Sequence, residues 1–104
     1  MTGPAEVVLT GELDIATLDD AQRRIEAAEA GSPPVLVIDL SALTFVDSSG
    51  VRLVLLADDR ARTAGRRLAV RLGTRQALRV FQALGLLDKL DVVAEPAADG
   101  AARP

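Results

Sequence analysis

The chain has no cysteine, histidine, tryptophan or tyrosine, and only two phenylalanines, Phe45 and Phe81, in 104 residues. Without cysteine there is no disulfide framework and no thiolate nucleophile. Without histidine as well, a zinc site of the usual kind and a haem ligand are excluded. No Ser-His-Asp or Cys-His pair can be assembled, so a serine here has no imidazole to activate it. Two aromatic rings are too few for a base-stacking nucleic-acid platform. No apolar run approaches the roughly 20 residues of a membrane-spanning helix. Met1 to Pro4 lack the basic and apolar segments of an export signal, so the cytoplasm is the expected compartment. No metal and no cofactor is expected.

What is present is a chain that is 49% hydrophobic, with mean hydropathy +0.24 and net charge −3. Disorder requires low hydrophobicity and high net charge, so this composition predicts a packed domain. One domain is expected over residues 5–95, followed by a disordered Ala/Pro-rich tail at 96–104. Charge is uneven. Residues 1–47 carry nine acids and two bases, whereas residues 48–79 carry eight arginines against Asp58 and Asp59. A solvated helix face explains such a cluster, and so does a patch facing a partner or an anion. The acidic balance of the whole, with a pI near 4.8, argues against a nucleic-acid binder.

Hydrophobic periodicity predicts the order β-α-β-α-β-α-β. Val7-Val8-Leu9 opens a short strand. Thr17 is placed to cap a helix in which Leu18, Ala21, Ile25 and Ala28 share a face, with Gly31 ending it. Val35 to Leu40 is continuous and largely β-branched, as expected of a strand covered on both sides or central in a parallel sheet. From Val51 the pattern becomes helical, with Leu53, Leu56, Ala57 and Ala61 on one side. Leu68, Val70 and Leu72 alternate as a strand. Thr74 is placed to cap a third helix with Ala77, Leu78, Phe81 and Leu84 buried. Gly85 then sits beyond its end, with Leu86 and Leu87 folding back. Asp91 to Ala94 is a last short strand. Strands alternating with helices imply right-handed crossovers and a small, mainly parallel sheet with helices packed on it, an α/β fold.

Two segments follow strand ends, the rim where sites of open α/β sheets lie. Thr10-Gly11-Glu12-Leu13-Asp14 carries two carboxylates two residues apart. Asp47-Ser48-Ser49-Gly50 opens a buried helix, where unpaired N–H groups and the positive dipole end favour negative charge. Taken singly, the first reads as an acidic turn and the second as helix capping. Neither is a phosphate-binding Gly-rich loop, and there is no G-x-S-x-G elbow.

Together, in this order and about 30 residues apart, the two segments resemble the signatures of STAS domains, most closely the bacterial anti-sigma factor antagonists. Thr10 to Asp14 looks like the first signature and Phe45 to Val51 the second. Arg79-Val80-Phe81 and Leu84-Gly85-Leu86 look like the family's final helix and turn. The resemblance implies a switch and not an enzyme. Such a protein binds an anti-sigma factor serine kinase, which then releases its sigma factor. The kinase phosphorylates the first Ser or Thr after the motif aspartate, here Ser48, and a phosphatase reverses it. Glu12, Asp14, Asp47, Ser48, Ser49, Gly50 and Arg52 are the implied partner-binding residues, with Ser49 expected to cap the helix. Arg52 stands where the family tends to have a small residue. The alternative within the same resemblance is a STAS subunit of a transport or sensory complex without phosphate switching. A monomer in dilute solution is expected, because Pro4, Glu6, Glu12 and Asp14 discourage pairing along the Val7–Thr10 strand. Weak dimerisation through that edge is the alternative.

Overall fold

The computed structural model describes residues 3–93, so the expected tail at 96–104 lies outside the described residues. Seven elements follow the expected order: β1 (Ala5–Leu13), α1 (Leu18–Glu29), β2 (Val35–Val46), α2 (Ser48–Thr63), β3 (Arg67–Arg71), α3 (Gln76–Ala83) and β4 (Asp91–Val93). The sheet has the order β1-β2-β3-β4 with every neighbouring pair parallel. Sequential parallel strands joined by right-handed crossovers stack successive helices on one face. The burial pattern agrees. Val7, Ile38 and Val70 occupy one register row and are buried, as are Leu9, Leu36, Leu40, Leu68 and Leu72 on the same face. They merge with Ile25, Val54, Ala57 and Phe81 from the helices into one core.

The opposite face is polar in part. Asp39 and Arg71 are register partners there, and their side chains form an ion pair at 3.1 Å. Arg71 also pairs with Glu6 of β1. A cation shared between two strands' carboxylates ties the first and third strands across the second.

β2 is longer than its periodicity indicated. The expected strand at Val35–Leu40 continues to Val46, beyond the end of β3. Two register irregularities against β1 make this possible, between Val8 and Thr10 and between Gly11 and Glu12. Each inserts an extra β2 residue, which restores the phase so that Leu43 and Val46 are buried as Leu36 and Ile38 are. α3 packs against β2, and its first turn borders Leu43 and Thr44 of the overhanging half.

Several local expectations are corrected. α2 begins at Ser48, not Val51, so the motif is itself the first helical turn. Thr17 holds the N-cap position of α1 as expected but makes no side-chain capping bond: its hydroxyl oxygen accepts the Asp14 N–H at 3.0 Å, and its proton goes to the Glu12 carbonyl at 2.9 Å. Thr74 is not a cap either: Arg75 holds that position with no side-chain bond. α1 ends ahead of Gly31 as expected, and it is Ser32 beyond it that takes the left-handed conformation, with φ 50°. Leu56 and Leu84, expected in buried stripes, are 46% and 54% exposed. The end of α3 is as expected. Gly85 has φ 71°, its N–H donates to Gln82 O at 3.0 Å, and Leu86 N–H donates to Phe81 O at 3.0 Å, a Schellman ending.

Candidate functional site

The β2–α2 junction has no slack. Val46 ends the strand, Asp47 is the N-cap with extended backbone, and Ser48 is the first helical residue. Asp47 Oδ1 accepts the N–H groups of Ser49 at 2.9 Å and Gly50 at 3.2 Å. It thereby satisfies two of the orphan donors of the first turn. Ser49 was expected in this role, and the correction is geometric: a cap must stand one residue outside the helix, and only Asp47 does. Gly50 is buried, and a Cβ there would stand 2.7 Å from Leu13 Cγ, 2.8 Å from Leu13 Cδ2 and 2.9 Å from Val46 Cγ2. The first turn of α2 is therefore seated directly on the ends of β1 and β2, and only glycine fits the contact.

The β1–α1 junction lies alongside. Asp47 N–H donates to Leu13 O at 3.2 Å, so the two strand ends meet at the residue before Asp14. Asp14 Oδ1 accepts N–H groups from Ala16 at 3.0 Å and Thr17 at 3.1 Å. Thr44 Oγ1 donates to Gly11 O at 3.1 Å and fastens the same two strands one step earlier. Of the residues expected at the site, Asp14, Asp47, Ser48, Ser49 and Gly50 are brought to this one rim. Glu12 lies on the adjoining end of β1, exposed, in register with Phe45.

The Ser48 side chain is exposed and has no hydrogen-bond partner among the described residues. Arg52, one helical turn further on, is exposed and has none either. Ser48 and Arg52 line a shallow groove of about 430 Å³ with Ser49, Val51, Leu55 and Leu84. Leu55 and Leu84 were not expected at the site. Leu84 was placed in a buried stripe, and its exposure beside Ser48 shows only once α3 is docked against β2. Phe45, 44% exposed, adds a further apolar group to this end of the sheet. No helix of the described residues is long and apolar enough to cross a membrane. No group of three or more metal-ligating side chains is found among the described residues.

With this geometry in view, known proteins give the family. The family model described as Mlab, STAS domain matches residues 2–93. The chain belongs to the STAS domain family. Solved structures share its fold. An anti-sigma factor antagonist from Mycobacterium paratuberculosis superposes with a TM-score of 0.78 at 27% identity, covering 93% of this chain and 81% of that one. The anti-sigma factor antagonist SpoIIAA in its unphosphorylated form superposes with a TM-score of 0.73 at 24% identity, covering 94% of this chain and 85% of that one. This STAS domain thus has a four-stranded parallel sheet and three helices in the order that periodicity indicated, with both signatures at one rim.

Proposed function

We propose that this STAS domain is an anti-sigma factor antagonist, a regulatory protein and not an enzyme, switched off by phosphorylation of Ser48. The observation that carries the reading is the state of Ser48. Its hydroxyl is exposed, unbonded and first in a helix whose seating is rigid, while the neighbouring carboxylate of Asp47 is committed to the cap. A hydroxyl with no base beside it is a poor nucleophile. As an acceptor for a kinase it needs only access, which this position provides.

The unmodified rim binds an ATP-dependent anti-sigma factor serine kinase in the cytoplasm, and the kinase then releases its sigma factor. Phosphorylation places about −1.5 to −2 charges on the first residue of α2. The helix dipole favours that charge, so the fold survives. Inside an interface the same charge costs several kcal/mol against an acidic or apolar partner surface. A phosphatase restores the binding form. The solved neighbours support the reading, since both are anti-sigma factor antagonists and one is described in an unphosphorylated form.

The test is incubation with a candidate anti-sigma factor kinase and ATP, read by mass spectrometry. Phosphate is expected on the wild type and on Ser49→Ala, and not on Ser48→Ala. Ser48→Asp is expected to melt with the wild type and to lose kinase binding in a pull-down. Phosphate retained on Ser48→Ala would overturn the assignment of the residue. Stable kinase-independent assembly with no phosphate uptake would favour the transport or sensory subunit instead.

A further inference from the structure

The structure divides the arginine-rich segment into two populations. Arg60 pairs with Glu29, Arg62 with Asp58, Arg67 with Asp91, and Arg71 with Glu6 and Asp39. These stitch the fold together. Arg52, Arg66, Arg75 and Arg79 have no ion-pair or side-chain hydrogen-bond partner among the described residues. Three of these four face the Ser48 end of the sheet. Arg52 lines the groove with Ser48. Arg75 and Arg79 line a neighbouring depression with Leu43 and Thr44, at the β2 end that leads into Asp47. Three unpaired guanidinium groups therefore lie toward the end of the sheet that carries the proposed switch residue, on the α2–α3 side of a rim whose β1 side carries Glu12 and Asp14.

Apolar surface is concentrated there too. Leu84 at the end of α3 and Leu55 on α2 line the groove, and Leu56, outside its lining, is exposed on the same helix. An exposed leucine alone needs no explanation. Two leucines beside the unpaired guanidinium of Arg52 form a surface of mixed character, matched by a segment that carries both a carboxylate and aliphatic side chains.

We infer that the groove between the start of α2 and the end of α3 docks an acidic, leucine-type segment of the protein partner. Its aliphatic side chains lie on Leu55 and Leu84, and a carboxylate pairs with Arg52. The inference rests on the proposed switch and names the chemistry of the partner at that site. It also accounts for how one phosphate could end binding. A phosphoserine at position 48 lies one turn from Arg52, within the reach of an i, i+4 pair. The N–H groups of Ser49 and Gly50 are already bonded to Asp47, so Arg52 is the free donor on that side. The phosphate would take Arg52 from the partner's carboxylate and repel that carboxylate as well.

The test is an NMR titration of the uniformly 15N-labelled chain with three probes. These are a synthetic peptide of alternating glutamate and leucine pairs, its lysine-for-glutamate counterpart, and vesicles of phosphatidylglycerol. The expected result is saturable movement of the Ser48, Arg52, Leu55 and Leu84 amide signals with the glutamate peptide. The lysine peptide should bind about tenfold or more weakly. Arg52→Glu and Leu84→Ser should each weaken the glutamate peptide, with spectra that keep the dispersion of a folded chain. Arg66→Glu, which reverses an unpaired arginine away from the groove, should not. Equal binding of both peptides, movement mapped elsewhere, or binding to vesicles alone would overturn the inference. Failure here is distinguishable from failure of the switch. Phosphate uptake at Ser48 without charge-selective docking sinks only the partner chemistry. Docking of the glutamate peptide without phosphate uptake sinks only the kinase reading.

Discussion

The two strand-to-helix junctions use the same device to opposite effect. In each, an aspartate Oδ1 accepts two backbone N–H groups just ahead of a helix: Asp14 from Ala16 and Thr17, and Asp47 from Ser49 and Gly50. At the first junction the aspartate stands four residues before α1, and the intervening turn leaves Ile15 78% exposed. At the second the aspartate is itself the N-cap, and the third helical residue is pressed onto Leu13 and Val46. The same Asx chemistry thus makes an adjustable turn in one place and a fixed seat in the other. The difference lies in Gly50, whose missing side chain lets the helix reach the strand ends. A residue that must be presented to another protein in one geometry belongs on the fixed seat, and Ser48 is there.

The largest effect should come from filling that contact. Gly50→Val puts branched carbon into space already held by Leu13 and Val46. Overpacking of this kind costs about 3 kcal/mol, a fall in melting temperature on the order of 15 °C for a domain of this size. Gly11→Ala, in the other signature, meets nothing within 4 Å but requires a side chain at φ +75°. It should cost only about 1 kcal/mol through backbone strain. Thermal melts of the pair test the contrast. A Gly50→Val chain that melts with Gly11→Ala would mean the second junction has the slack attributed to the first.

Next comes the cap. Asp47→Ala removes the acceptor of two first-turn donors and should cost about 1–2 kcal/mol. Asp47→Asn, which keeps a capping oxygen, should recover most of it. Asp14→Ala opens a turn whose N–H groups can reach water and should cost about 0.5 kcal/mol. Urea unfolding of the three variants checks the order, and a larger loss for Asp14→Ala than for Asp47→Ala would invert it.

How far these differences can be read from residues alone depends on whether their causes are local. The Schellman ending at Gly85 is local: a glycine followed by two leucines after an apolar stripe specifies it, and it was legible. So was the alternation of elements, because each strand and helix has its own period. The identity of the cap was not. Asp47, Ser48 and Ser49 are all good caps by type, and the choice among them depends on where β2 stops. β2 stays paired with β1 to Val46 through two register irregularities, a relation between segments that lie about 30 residues apart. The exposure of Leu84 has the same origin. Periodicity marks it as part of the α3 stripe, but in the folded chain it stands half-exposed against the start of α2, a relation between separate elements. Of the candidate site, the sequence placed both acidic signatures and Ser48 after strand ends, and the structure brings those positions to one rim. The groove wall and the unpaired state of Arg52, Arg75 and Arg79 were products of docking.

A third aspartate extends the comparison to pH. Asp39 also accepts a backbone N–H two residues on, from Ser41 at 2.9 Å, and accepts the Ser41 hydroxyl and Arg71 besides. Burial pushes its carboxyl up, but the Ser41 side chain, the Ser41 N–H and Arg71 together outweigh burial and hold it below its ordinary value of 3.8. A carboxylate depressed on folding contributes stability that is complete above its unfolded value and is lost as pH falls through the folded one. Acid unfolding should therefore draw on Asp39, on the sheet's open face. Asp39→Asn should be less stable than wild type at neutral pH, with the gap closing below about pH 4. A gap that stays constant down the acid limb would show that Arg71 does not depend on this charge.

The smallest effect concerns the outer strand beside the looser junction. β1 is one of the two edge strands of the sheet, and Val8 on it is half-exposed. Arg24 of α1 reaches over and donates to the Val8 carbonyl at 2.7 Å. An unpaired strand edge is a template for a second chain, and covering its polar groups with a charged side chain is one way to block it. Pro4 and the acids Glu6, Glu12 and Asp14 act in the same direction by removing a donor and adding like charge. Because Arg24 is exposed, Arg24→Ala should change stability by only about 0.5 kcal/mol. Its effect should instead appear in association. Wild type should hold a monomer mass in light scattering from micromolar to millimolar concentration, while Arg24→Ala should gain mass at the upper end. Replacing Arg24 by lysine, whose ammonium can still meet the carbonyl, should return the variant to the monomer. If wild type is already a dimer at low micromolar concentration, the edge is in use, and the looser junction is then the one shaped by an interface.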